Sequence, residues 1–319
     1  MSTYLQPFLA RVFRARLMLA ALVACIGAVT LAPDIAGASS LASGSFPVTL
    51  KYPGGVVTIA HRPTRVISLS PTATEDLFAI GAGSQVVAVD SDSNFPKSAP
   101  HSSLSAYQPN VEAVARFRPD LVVVVGDEGG LISALAKIHI PVLVEPAANT
   151  IANAYQEIAS LGRATGNRAK AQAVVSSMRT KIASIVADAP VAARHRSYYV
   201  ELDQTYYSAT SSTFLGSVFS LFGLRNIADR AAGAASGYPQ LSSEYIVATN
   251  PNLIFLADTI CCGQSAQTVR ARAGWSSMTA LKKGGVVALS DDIASRWGPR
   301  IVVLAQDIRN ALVRMYGKP

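Results

Sequence analysis

The stretch TIANAYQEIASLGRATGNRAKAQAVVSSMRTKIASIVAD, residues 150–188, decides the fold. It holds no proline before Pro190, and its apolar residues recur at helical spacing: Ile151, Tyr155, Ile158 and Leu161, then Val174, Val175, Met178, Ile182, Ile185 and Val186. Steps of three, four and seven put one face of a helix into a core, whereas a half-buried strand would alternate every second residue. Gly166-Asn167 divides the pattern, because glycine ends helices and asparagine starts them. The second piece, 167–188, spans roughly 30 Å at about 1.5 Å per residue. Alternating α/β segments flank the stretch, so it forms a strut between two lobes, 39–149 and 189–319. Residues 150–165 are expected to pack on the first lobe and 167–188 alone to bridge the gap.

Outward from the strut, each flank spells the same order. Residues 46–60 alternate around Pro53-Gly54-Gly55, a hairpin signal. Val66 to Leu69 is a buried strand. Ser70 caps the following helix, Pro71 occupies its first turn, Glu75 and Asp76 suit its positive end, and Gly81 and Gly83 stop it. Residues 86–96 make a strand leading into a polar loop, 120–125 a strand, 128–138 a helix and 141–145 a strand. Beyond the strut come a strand at 197–202, a helix at 213–223, a loop at 231–239, strands at 253–256 and 286–289, and a closing helix at 299–316. Strands separated by helices imply mainly parallel sheets covered on both faces.

A pair of matching segments ties the flanks together. In PNVEAVARFRPDLVVVV (109–125) and SSEYIVATNPNLIFLA (242–257), a capping residue, Asn110 or Ser242, stands two before a glutamate, Glu112 or Glu244. The glutamate stands seven before Pro119 or Pro251, and Asp120 or Asn252 then precedes an apolar strand. In both copies the cap satisfies the first turn, the carboxylate faces the positive helix end, and the proline ends a two-turn helix and launches a strand. Capping alone would explain each glutamate.

Arg11, Arg14 and Arg16 precede an uncharged run from Leu17 to Ala32, the layout of an export signal over 1–38. Two processing routes fit. Ala36-Gly37-Ala38 is a small-x-small cleavage site, and Leu22-Val23-Ala24-Cys25 resembles a lipobox in which Cys25 is lipidated. Either places the body outside the cytoplasm, in the periplasm or cell envelope. There disulfides are permitted, and the adjacent Cys261 and Cys262 could form a strained eight-membered ring or remain free thiols. No CxxC or Cys/His spacing suggests a metal site. The net charge is +8, of which +2 belongs to residues 1–38. A basic surface suits an anionic ligand or envelope, but no Lys/Arg-dense run interleaved with aromatics points to nucleic acid. HExxH, GxSxG and phosphate-loop patterns are absent, so no catalytic residue is nominated.

The strand with SPTATE (70–75), the helix ending in GAG, YPQLSSE (238–244) and DDIASRWGPR (291–300) together resemble the class III substrate-binding proteins of ABC importers, and within them the cobalamin-binding branch. The resemblance covers about 270 residues. It implies two Rossmann-like α/β lobes joined by a long backbone helix, a monomer with no cofactor of its own, and a cobalt or iron chelate held between the lobes. Cobalamin is favoured over a ferric siderophore or haem, and an extracytoplasmic chelate-processing enzyme is the alternative of another class. The implied partners are a permease and its ATPase, with Glu112 and Glu244 matching the acidic docking positions. Cleft residues should come from loops at the carboxyl ends of strands. Tyr107, Tyr206, Tyr238, Arg296 and Trp297 are the candidates, followed by Phe95 and Tyr207, with Arg296 or Arg300 available to an anionic group on the ligand. Among the histidines, His139 precedes a strand and His61 and His195 fall in basic linkers, which leaves His101 as the one near the cleft. One departure stands out. Where cobalamin binders place aromatics after the second strand, this chain has Asp90, Ser91, Asp92 and Ser93.

Overall fold

A computed structural model describes residues 46–317. The export signal, its cleavage site and Cys25 lie outside the described residues. The chain opens with an antiparallel hairpin, β1 (Val48–Tyr52) and β2 (Gly55–Ile59). The first lobe follows: β3 (Val66–Leu69), α1 (Pro71–Ala79), β4 (Val86–Asp90), β5 (His101–Leu104), α2 (Val111–Arg116), β6 (Leu121–Val124), α3 (Leu131–Lys137) and β7 (Val142–Val144). Its five strands run parallel in the order β5-β4-β3-β6-β7. The strut is two helices, α4 (Ile151–Ala164) and α5 (Arg168–Ala187). The second lobe comprises β8 (Ser197–Glu201), α6 (Phe214–Ser220), β9 (Arg225–Asn226), α7 (Ser243–Thr249), β10 (Leu253–Leu256), α8 (Ala266–Arg270), α9 (Thr279–Lys282), β11 (Val286–Ala288), α10 (Asp291–Ser295) and α11 (Ile301–Tyr316). Its sheet is also parallel, in the order β11-β10-β8-β9. Among the described residues no helix is long and apolar enough to cross a membrane.

Strand side chains alternate between faces, and the alternation sorts the interior. Val66, Leu121 and Val123 of the first sheet, with Tyr198, Val200, Leu253 and Phe255 of the second, enter one common core. Leu77, Ile158, Leu161, Met178, Ile182, Phe219, Leu304 and Ile308 fill it from the helices. The opposite faces carry separate clusters. One joins Ile67, Leu69, Val122 and Val124 to Leu131 and Leu135. The other joins Tyr199, Ile254 and Leu256 to the fully buried Trp275.

The strut differs from the expected rod. The α5 helix turns back along α4, so that the Arg179 guanidinium lies 4.5 Å from the Tyr155 ring centre. The α4 helix packs on α1 and β1 and also touches α6, while α5 packs on α11. Both helices therefore reach the second lobe, and bridging is not confined to 167–188. Gly162 lets the pair close up: a Cβ there would stand 2.3 Å from the Cβ of Ala171. Gly162→Ala should cost about 1–3 kcal/mol of stability, as overpacking does. A thermal melt of the variant that overlays the parent would refute this reading of the contact.

Short elements escaped the sequence. β5 (HSSL) lacks apolar alternation and sits at a sheet edge, and β9 is two residues long. His101 accordingly starts an edge strand and is not in a loop.

Candidate functional site

Parallel strands end on the same side, and here the carboxyl ends of β3, β4 and β6 open into a cavity of about 520 Å³. Ser70 and Pro71 follow β3, Asp90 and Asp92 come from the end of β4, and Gly126 and Glu128 follow β6. Tyr107 enters from the loop before α2. The second lobe contributes Ser295, Arg296 and Trp297. Three of the five candidates, Tyr107, Arg296 and Trp297, are thus brought together. Tyr107 presents a ring that is 79% exposed, an aromatic wall for a flat ligand.

The two arginines are not free to meet a ligand anion. Glu75 is buried on α1, where Ser70, accepting the Ala73 N–H at 3.2 Å, starts the helix. Its carboxylate accepts from Arg296 Nη1 at 3.1 Å and Arg300 Nε at 2.8 Å. Arg296 also donates to Asn94 Oδ1 (2.7 Å), the Asp92 carbonyl (3.1 Å) and Asp292 Oδ1 (2.9 Å). Asn94 in turn donates to Asp292 Oδ2 at 2.9 Å, and Arg300 stacks over Phe95 at 4.6 Å. Segment 292–300 is thereby clamped to the first lobe, and Phe95 serves the clamp. The sequence marked Glu75 only as suited to a helix start. Nothing local could show that its partners lie more than 200 residues away.

Trp297 has a second tie. Its indole N–H donates to Glu157 Oε2 at 2.6 Å, and its ring meets Phe214 edge-on at 6.4 Å. Glu157 belongs to an acidic group with Glu145 and Asp76, and Glu145 and Glu157 line a separate cavity of about 790 Å³. Burial raises its carboxyl to about 7, against the opposing Trp297 hydrogen bond. Burial raises Glu145 to about 8, opposed by Ser160 and helped by Glu157. Burial, then the charges of Glu157, Glu75 and Glu145, holds Asp76 well above the usual range. In the unfolded chain such groups lose their protons near pH ~4. The folded state therefore binds more protons above that pH, and stability falls as pH rises toward 7–8. The melting temperature should drop between pH 5 and pH 8, and Glu145→Gln should flatten that drop. A melting temperature that rises over this range would contradict the assignment.

Tyr206 and Tyr238 stand apart from the cavity. Tyr206 stacks on Trp275 at 5.6 Å and lies under Arg272 at 5.2 Å, which makes it part of the second lobe's packing. Tyr207 bridges to Gln240 beside the half-exposed Tyr238. Cys261 and Cys262 are free thiols, in place of the strained ring that was one of the two expectations. Their loop is held by Asp291, which accepts the backbone N–H groups of Thr259 (2.8 Å) and Cys261 (2.8 Å).

The matched segments fold alike. Asn110 accepts the Ala113 N–H at 2.7 Å to start α2, and Ser242 accepts the Tyr245 N–H at 3.1 Å to start α7. Glu112 and Glu244 are both exposed in the first turn. The residue after each proline has a role that was missed. Asp120 accepts the Arg65 N–H at 2.8 Å, next to β3, and Asn252 accepts the Ser197 N–H at 3.0 Å, at the start of β8. Each pins the register of neighbouring strands.

Comparison with known proteins agrees with this architecture. The sequence profile of a family described as "Periplasmic binding protein" matches residues 66–293. A cobalamin-binding protein of Halobacterium salinarum is 32% identical over 301 residues, covering 89% of this chain and 79% of that one. A Bacillus subtilis protein named as the uncharacterized ABC transporter substrate-binding lipoprotein YvrC is 29% identical over 277 residues, covering 84% of this chain and 86% of that one. The crystal structure of a possible iron-binding (periplasmic solute-binding) protein from Staphylococcus epidermidis superposes with a TM-score of 0.69 at 23% identity, covering 79% of this chain and 99% of that one. With the family profile spanning most of both lobes, and with the cavity between them, the chain belongs to the periplasmic binding protein family.

Proposed function

We propose that the chain is the solute-binding component of an ABC importer, acting outside the cytoplasm, and that it holds a corrinoid of the cobalamin type in the inter-lobe cavity. The observation that carries this reading is the cavity itself. It is walled by both lobes, with an exposed tyrosine on one side and a tryptophan held by Glu157 on the other. Its one arginine is already neutralised by Glu75 and Asp292, so the site offers faces and acceptors but no spare cation for an anionic ligand. The name of the Halobacterium relative supports the corrinoid and that of the Bacillus relative the ABC importer. The ligand is handed on unchanged to a permease and its ATPase, with Glu112 and Glu244 meeting cationic groups on the permease.

The test is a thermal shift with cyanocobalamin, haem and ferric siderophores in parallel. A ligand at 100 times its Kd should add about 2.7 kcal/mol of stability. A shift with cyanocobalamin alone is expected. A shift with haem or a siderophore and none with any corrinoid would overturn the corrinoid assignment.

A further inference from the structure

The end of β4, where the chain departs from the cobalamin binders it resembles, carries a buried, unpartnered acceptor in the wall of the cleft. Asp90 ends β4, lines the cavity and is wholly inaccessible to bulk solvent. One of its carboxylate oxygens, Oδ1, accepts from the Ser93 hydroxyl. Ser93 lies 2.9 Å from Thr74 Oγ1, which donates to Ser68 Oγ at 2.9 Å, so the carboxylate is held from behind by α1 and β3. The other oxygen, Oδ2, has no hydrogen-bond partner. A buried acceptor left open is costly, and a native structure gives it a partner. The rest of the cavity does not provide one. Asp92 and Glu128 stand exposed at its rim, and Arg296 is occupied by Glu75, Asn94, Asp292 and the Asp92 carbonyl. Burial, with Asp92 adding to it, pushes the Asp90 carboxyl up from its ordinary value, against the Ser93 hydrogen bond, the residue's own backbone N–H and Arg296. A donor brought by a ligand would relieve that.

We propose that Asp90 is a specificity-determining residue of the cleft, whose free oxygen accepts a hydrogen bond from a carboxamide N–H or a cationic group of the ligand and rejects a carboxylate at the same place. The chemistry separates the ligand classes. A corrinoid periphery carries carboxamides, whereas haem carries two propionates. The inference rests on the corrinoid reading for the identity of the macrocycle only.

The experiment measures binding of the mature chain to two ligand pairs. The first is cyanocobalamin against its monocarboxylic acids, in which one peripheral carboxamide has become a carboxylate. The second is a tetracationic N-methylpyridyl porphyrin against a tetrasulfonated one. At least one monocarboxylic acid should bind about ten- to a hundredfold more weakly than the parent, the range for an acceptor left unpaired. Asp90→Asn, which can donate as well as accept, should remove the deficit. The controls Asp92→Asn and Glu128→Gln should keep it. Equal binding of all the acids to the parent chain, or a deficit that survives in Asp90→Asn, overturns the proposal. If no corrinoid binds but the cationic porphyrin is preferred and Asp90→Asn weakens that preference, the acceptor role stands and the corrinoid reading falls. With neither preference, both fall. Should Asp90→Asn fail to fold, the two ligand pairs on the parent chain decide alone.

Discussion

Replacing Glu75 by alanine is expected to lower the melting temperature by roughly 5–6 °C. Its side chain is 1% exposed, and it meets Arg296 and Arg300, whose side chains are 8% and 18% exposed. Removing one partner from a buried pair costs about 3–5 kcal/mol, because a charge is left desolvated and unmatched. Arg296 keeps Asp292 and Asn94, and Arg300 keeps the Phe95 ring, which places the loss at about 3 kcal/mol, the low end. For a protein of this size each kcal/mol moves the midpoint by about 2 °C. A second variant separates stability from geometry. Replacing Glu75, Arg296 and Arg300 together by apolar residues of similar volume should recover most of the loss, yet leave segment 292–300 tied to the first lobe by little more than the Asn94–Asp292 hydrogen bond. If Glu75→Ala melts within a degree of the parent, the clamp holds nothing together.

On the proposed docking role, Glu112→Arg with Glu244→Arg should abolish uptake while leaving ligand affinity unchanged. Both residues are exposed in the first turns of α2 and α7 and lie outside the cavity lining. A carboxylate that meets a cation becomes, on reversal, a like-charge contact costing several kcal/mol. Each 1.4 kcal/mol is about tenfold in affinity for the permease. The single variants should lie between. Transport assays in cells, set beside Kd measurements on the purified chain, make the comparison. Normal uptake by the double variant would remove these residues from docking.

Much of this was legible from local chemistry. Caps, prolines and strand-launching residues act within a turn or two, so Ser70, Asn110, Ser242 and the strands after Pro119 and Pro251 could be read from the sequence. The paired segments exposed the two-lobe plan because each copy repeats the same local physics. Arg296, Trp297 and Tyr107 were legible as cleft residues through position and motif. The engagement of Arg296 was not, since Glu75 lies 221 residues away in sequence. The packing of Tyr206 was hidden for a similar reason. The residue follows a strand, as a cleft residue would, but Trp275 comes from a segment 69 residues later and captures its ring. The orphaned oxygen of Asp90 depends on which hydroxyl reaches which side of a carboxylate, and no sequence pattern encodes that.

The common core has a consequence for how the molecule comes apart. Since Val66 and Leu121 of one sheet share an interior with Tyr198 and Phe255 of the other, through Leu161, Ile182 and Leu304, neither lobe covers its inner sheet face alone, although each keeps a separate cluster on its outer face. Two-lobed proteins with separate interiors can melt in two steps. Here the first lobe cannot keep its inner sheet face dry once the second has gone, so calorimetry should record a single cooperative transition in which the van 't Hoff and calorimetric enthalpies agree. A chain cut in the turn at 165–167 should give two halves that are insoluble apart and fold only when mixed.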